Sequence, residues 1–351
     1  MSAIDPSSND IGMTDVDFPA KGTEQEGDVT FENKLFPIWQ ISDPAQILKV
    51  LKSDVVVSPD LASQLARIEA KWNISLPSLN FAASCLPVFL EGGGHAVCRR
   101  SLGIYLSERN AILRPVLDDK LPVLLKPLER KGSVDLANTI VKPIVDLVLK
   151  TVLEIPLPEY IWDLNLADVF NLENNGVSRL KKLDSEFEAA ISVIKLGSRS
   201  DDEIFNRFAF LLFARQSMFG TLIEGIVKSL AGSSSDHPVT LMLPNFPPAT
   251  STPVTYRITL EELKLNEHSI PPGATLKLQL DQFLLSQKPG FSNFIFGAGQ
   301  HSCLGKNLAM TIWSCLREQV NQIGVTAWIS SYKVGANSFI VKHDEVIIHI
   351  I

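Results

Sequence analysis

The sequence predicts a mainly α domain with small β-sheets, on three observations. Apolar residues recur at helical spacing from Trp39 to about Leu230, and after Gly232 the texture changes to Pro, Ser and Thr followed by short alternating runs. A glycine-punctuated loop around Gln300 then stands immediately before a second helical pattern.

From Met1 to Lys34 the chain is polar and acidic, with Asp5, Asp10, Asp15, Asp17, Glu24, Glu26, Asp28 and Glu32 against only Lys21 and Lys34. Too little apolar surface is present to offset the entropy of ordering, so residues 1–34 are expected to form a disordered tail and residues 35–351 the folded domain. Within the helical stretch, breaks are expected at Pro77, Pro87, Gly92 to Gly94, Pro156 and Pro158, and around 197–201. Ser200 followed by Glu203 fits a capping box, and the apolar run from Ile204 through Phe208, Leu211, Phe219 and Leu222 to Ile226 continues for more than six turns. Its apolar residues lie on nearly every face, which predicts a helix crossing the interior. The alternation in Thr275 to Leu280 reads as a strand. A further helix is expected from about Leu304 to Gln319, and a closing hairpin from Phe339–Val341 and Val346–Ile351.

At 351 residues with 45% hydrophobic content the chain can bury a large core. A net charge of −7 with scattered Lys and Arg leaves no basic footprint for nucleic acid. By eye no apolar run reaches the roughly 18 residues that span a bilayer, and no secretory leader is visible, so a soluble, cytoplasmic protein without membrane association is expected. The four cysteines, Cys85, Cys98, Cys303 and Cys315, show no CxxC spacing and suggest neither a disulfide framework nor a zinc site.

The strongest local signal is Phe296, Gly297, Ala298, Gly299, Gln300, His301, Ser302, Cys303, Leu304, Gly305. It presents one cysteine at a helix start, where exposed N–H groups and the helix dipole favour a thiolate. Gly297, Gly299 and Gly305 let the backbone come close to a flat partner and donate to sulfur. The bland alternative is a buried cysteine acting as a small hydrophobe in a tight turn.

This segment resembles the heme-binding signature of the cytochromes P-450, Phe-x-x-Gly-x-x-x-Cys-x-Gly, with Phe296 or Phe294 as the aromatic, and Gly299, Cys303 and Gly305 at the remaining fixed positions. The resemblance implies a P-450-like heme-thiolate fold in shortened form, heme b as cofactor and Cys303 as the iron ligand. Two distant segments agree. His95 and Arg99, four apart on one helical face, look like the family's helix whose His and Arg meet a heme propionate. Arg257, in Pro253 to Arg257, and His301 occupy positions that the family places near the propionates. Phe296, Gly297 and Gly305 complete the implied cofactor contacts.

The chain also departs from the family. Between the long helix and Arg257 there is no Glu-x-x-Arg pair, and Asp236 is the only acid in residues 231–256. Along the long helix, Arg215, Ser217 and Met218 stand where monooxygenases carry the glycine, acid and threonine of Ala-Gly-x-Asp/Glu-Thr, whose acid and alcohol deliver protons to bound dioxygen. Arg215, Gln216 and Ser217 are therefore the candidate catalytic residues on the distal side. Arg215 is expected to meet a carboxylate, a propionate or a polar substrate, or else to pair structurally. Ser217 offers a hydroxyl, although a helical serine often bonds back to the preceding turn.

Together these readings predict a heme-thiolate oxidoreductase acting on a small or medium organic molecule. The chemistry expected is non-standard: peroxide-driven oxidation, rearrangement or dehydration. The alternative is a non-catalytic heme-binding sensor or accessory protein. Nothing in the sequence assigns a redox partner, and the family's docking side is the abbreviated one.

Overall fold

The computed structural model describes residues 29–32, 38–164, 176–286, 288–334 and 343–351. Strands β1 (Val29–Glu32) and β2 (Ile38–Ile41) lead into α1 (Pro44–Leu51), and β3 (Val56–Val57) precedes α2 (Leu61–Trp72) and α3 (Pro77–Cys85). Helix α4 runs for 33 residues from Gly92 to Leu124, followed by β4 (Gly132–Asp135), α5 (Lys142–Leu153), α6 (Val177–Gly197) and α7 (Asp201–Ser229). The remainder holds β5 (Val239–Thr240), β6 (Val254–Thr259), β7 (Leu263–Leu265), β8 (His268–Ile270), β9 (Thr275–Gln279) and the one-turn α8 (Gln282–Leu285). Helix α9 (Lys306–Ile323), β10 (Thr326–Val334) and β11 (His343–Ile350) close the chain.

The expected breaks fall at element boundaries, where backbone chemistry explains them. Pro77 opens α3, and the glycine run is the first turn of α4, with Gly92 at φ +62°. Asp43, Asp60 and Ser200 cap α1, α2 and α7 by accepting from N–H groups three residues on. At Ser200 the capping box is nearly complete: Glu203 reaches back, although to the Arg199 N–H at 2.6 Å.

Helix α7 packs against α3, α4, α5 and α6 in the middle of the helical core. It is long and apolar enough, by length and composition, to cross a membrane, contrary to the sequence reading of no such run, yet 61% of its most apolar window is buried inside the fold. A five-stranded sheet, ordered β1-β2-β9-β6-β3 with β2 and β9 parallel, forms a second core with α1 around Ile41, Ile47, Leu276 and Phe283. A four-stranded sheet, β4-β11-β10-β5, covers the end of the helical core.

Two expectations need correction. Val29–Glu32 pairs antiparallel with Ile38–Ile41, so the tail does not extend to residue 34; the β-formers Val29, Thr30 and Phe31 have a free sheet edge to pair with, and residues 1–28 lie outside the described residues. The first strand of the closing hairpin is Thr326–Val334, which pairs antiparallel with β11, while most of Phe339–Val341's neighbourhood, like that segment itself, lies outside the described residues. Helix α9 begins two residues later and ends four later than expected, stopping at Gly324, which takes the left-handed conformation at φ +66°.

Between α7 and β6 the chain crosses without an intervening helix, and α9 holds this extended crossing in place. Asn321 bonds both the N–H and the carbonyl of Leu243, at 2.7 and 3.0 Å, as a strand partner would. Trp313, 1% exposed, donates its indole N–H to the Pro244 carbonyl at 2.9 Å, and Arg317 donates to Asn245. The indole fills the space beside Gly225 of α7, where a Cβ would stand 2.6 Å from the ring. Gly225→Ala is accordingly expected to destabilise the protein by about 1–3 kcal/mol through overpacking. Chemical denaturation checks this, and an unchanged midpoint would mean that the ring can retreat.

Candidate active site: a cavity between the cysteine loop and the long helix

Where the helical core meets the sheet core, a cavity of about 320 Å³ opens between α7, the start of α9 and the loop that carries Cys303. The loop is built from its own backbone. A 3₁₀ segment, Phe291–Phe296, ends at Gly297 (φ +73°), Cys303 N–H returns to the Phe296 carbonyl at 2.7 Å, and Ser302 N–H bonds the Gly299 carbonyl at 3.2 Å. Gly299, at φ +66°, is demanded by something the sequence did not reveal: a Cβ there would collide with the carbonyl of Leu51 at the end of α1.

Cys303 stands three residues before α9 with its thiol open to the cavity and otherwise surrounded by protein. The backbone N–H groups of Gly305 and Lys306 donate toward its sulfur, as expected at a helix start, and Arg99 adds a favourable charge. Burial outweighs them and leaves the thiol pKa above its ordinary value, which corrects the expectation of a lowered one. A metal cation replacing the proton would reverse that balance.

Beside the cysteine, four basic groups converge from three places: β6, α4 and the cysteine loop itself. Arg257 of β6 is 5% exposed, and among the described residues its guanidinium donates to the Tyr256 carbonyl at 2.6 Å and to Thr255 Oγ1 at 3.2 Å. Burial pushes its pKa down to about 10, with Glu91 acting in the opposite direction. Arg99 of α4 reaches Ser302 Oγ at 3.5 Å. The His301 ring lies 4.4 Å from that of His95, and burial, followed by the Arg257 charge, pushes its pKa down to about 4. His301 Nε2 meets Glu91 Oε1 at 3.0 Å, whereas His301 Nδ1 and His95 Nε2 are buried without a hydrogen-bond partner among the described residues. Two orphaned imidazole nitrogens, and two arginines with no carboxylate in salt-bridge contact among the described residues, are the environment that a buried dianion would complete.

The predicted residues therefore divide. Arg99, Arg257, Phe296, Gly297, His301, Cys303, Gly305 and Ser217 line one cavity, and His95 stands behind His301. Arg215 and Gln216 do not line it. Both donate to the Leu164 carbonyl, Gln216 at 3.0 Å, on the side of α7 turned away from the cavity, which corrects their assignment as distal catalytic residues. Ser217 faces the cavity, yet its hydroxyl bonds back to the Phe213 carbonyl. Arg215→Ala is expected to lower stability by about 1.5–3 kcal/mol, the loss of a hydrogen bond from a charged donor, since Gln216 still bonds the Leu164 carbonyl, while ligand affinity in the cavity stays unchanged. Thermal unfolding and a binding titration on the same variant separate the two effects.

Sequence reasoning missed Glu91, Thr221, Ser251 and Trp313. Glu91 lies four residues before His95, a spacing that marks it; Thr221 lies four after Ser217, but Ser251 and Trp313 reach the site by long-range contacts with no local signal.

No protein-family model matches the sequence, and no curated protein matches it significantly by sequence. Comparison with solved structures is decisive. P450BioI, solved with an acyl carrier protein bearing hexadec-9Z-enoic acid, superposes with a TM-score of 0.69 at 13% identity over 92% of this chain and 94% of its own. CalO2 gives a TM-score of 0.71 at 14% identity over 90% and 91%. The chain has the cytochrome P450 fold. A third P450, PksS of the bacillaene polyketide synthase from Bacillus subtilis 168, gives a TM-score of 0.66 at 13% identity over 93% and 94%. On this P450 fold the cysteine loop, α7 and the basic cluster enclose a single cavity.

Proposed function

We propose that the protein is a heme-thiolate oxidoreductase that holds heme b in this cavity through Sγ of Cys303 and acts on a small or medium organic substrate. The observation that carries the reading is the cavity's pairing of an accessible thiol with two orphaned imidazole nitrogens and two arginines that form no salt bridge among the described residues: Arg99, Arg257, His95 and His301 would hold the two propionates. When bound, the porphyrin iron supplies oxidation chemistry tuned by thiolate donation. The loop's N–H groups from Gly305 and Lys306 would temper that donation by hydrogen bonding to sulfur. Phe210, Phe213, Met218 and Leu222 of α7 exclude water and hold an apolar substrate.

Among the described residues no carboxylate lines the cavity, so α7 has no acid from which to pass a proton inward. This favours a reaction that brings its own protons, such as peroxide-driven oxidation, or one that needs none from solvent, such as rearrangement or dehydration. Heme-loaded protein given hydrogen peroxide and an apolar test substrate is expected to yield oxidised product detectable by mass spectrometry. The same lack of an acid favours a second reading, a non-catalytic heme binder, for which peroxide would only bleach the colour.

A further inference from the structure

The α7 side of the cavity carries a hydroxyl cluster that the reading above does not use. Ser251, fully buried, donates its hydroxyl to the Ser217 carbonyl at 2.9 Å; Thr221 donates to Ser251 Oγ at 3.2 Å; and the Ser251 N–H donates to Thr221 Oγ1 at 3.2 Å. Both hydroxyl protons are thereby committed inside the protein. A hydroxyl has one proton and two lone pairs, so Thr221 keeps one unused lone pair at the cavity wall, while Ser251, with no exposed surface, fixes the direction of the Thr221 proton. On the same strip Thr250 Oγ1 accepts from the Thr252 N–H at 3.2 Å, and no partner among the described residues takes the hydroxyl protons of Thr250 or Thr252, which also line the cavity.

The wall thus offers one acceptor with no proton to give, Thr221 Oγ1, beside donors with no acceptor among the described residues, in otherwise apolar surroundings. An ether or ketone can only accept, and an ammonium can only donate. An alcohol oxygen does both at one atom. We propose that Thr221, its proton held by Ser251, forms with Thr250 and Thr252 the recognition point for the hydroxyl group of an otherwise apolar substrate, an inference that rests on the cavity being the substrate site of the heme-thiolate enzyme. The cluster also ties residues 250–252 to α7, and that structural role by itself would give no preference among ligands.

The test is isothermal calorimetry on heme-loaded protein with 1-octanol and its isomer methyl heptyl ether, which has a similar length and no donor. Wild type is expected to bind the alcohol about tenfold more tightly, equivalent to about 1.4 kcal/mol. Thr221→Val should reduce the preference to within about twofold by weakening the alcohol alone, and Thr221→Ser should restore it. Equal binding of the two compounds by wild type, binding of neither, or a preference that survives Thr221→Val overturns the proposal. Should Thr221→Val fail to fold, Ser251→Ala, which frees the Thr221 proton and should let the ether bind nearly as well as the alcohol, decides together with the wild-type comparison. The heat of binding does not depend on colour, so a preparation that takes up no heme tells against the heme-thiolate reading separately, while the alcohol preference is still measured.

Discussion

Cys303→Ser is expected to abolish the thiolate-type Soret band of the reduced, carbon monoxide-bound protein while leaving the fold intact. The loop does not depend on the side chain. Its shape comes from the Cys303 N–H bond to Phe296, the left-handed glycines at 297 and 299, and the close approach to Leu51. A serine oxygen can accept from the same Gly305 and Lys306 N–H groups that now point at sulfur, so apo stability should change by less than about 1 kcal/mol. The ligand chemistry, in contrast, changes in kind, because a serine hydroxyl is far harder to deprotonate than a thiol and gives iron no thiolate donation. Peroxide-driven turnover should fall by roughly a thousandfold or more, the scale on which removal of a reacting group is felt. An unchanged absorption spectrum in the serine variant would remove Cys303 from the iron and the heme-thiolate reading with it.

What was legible in the sequence is what is local in the chain. The cysteine loop and the start of α9 lie within a dozen residues, so glycine positions, aromatic and thiol could be read together. His95 and Arg99 share a helical face by spacing alone. The face of α7 that meets the cavity was not legible, for a physical reason: buried residues occupy nearly every direction around the helix, and a helix without a polar face offers no phase to read. Arg215 drew attention as a charge in an apolar run, but a guanidinium can be satisfied by a backbone carbonyl from a distant loop, here that of Leu164, and no pattern announces such a partner. The absence of a Glu-x-x-Arg pair before β6 was visible in the sequence. Its compensation by Trp313, Arg317 and Asn321 was not, since three side chains a helical turn or so apart on α9 look like ordinary core and surface positions until the crossing chain is laid against them.

Arg257 gives a test in which the sign of the effect, and not only its size, is diagnostic. The residue is 5% exposed, its guanidinium is bonded to a carbonyl and a hydroxyl, and no carboxylate forms a salt bridge with it among the described residues. In protein without heme it is a buried charge compensated only by dipoles and by the more distant Glu91, and its lowered pKa reflects that burial. Replacing such a charge with an apolar side chain of similar length is stabilising more often than not, so Arg257→Met is expected to raise the stability of the apoprotein by about 1–2 kcal/mol. With heme bound the same residue would face a propionate, and losing one partner of a buried, hydrogen-bonded charge pair costs about 2–5 kcal/mol. Heme stabilises the fold by mass action, so weaker binding also lowers the melting temperature of the loaded variant. Arg257→Met should therefore melt higher than wild type without heme and lower than wild type with it, and heme titration should show affinity reduced by roughly thirtyfold or more. A purely structural arginine gives a different pattern: both forms would lose stability together, because the Tyr256 carbonyl and the Thr255 hydroxyl lose their donor whether or not an anion is present. Melting curves of the two forms of one variant thus decide whether the basic cluster beside Cys303 is built for a dianionic porphyrin or for the fold.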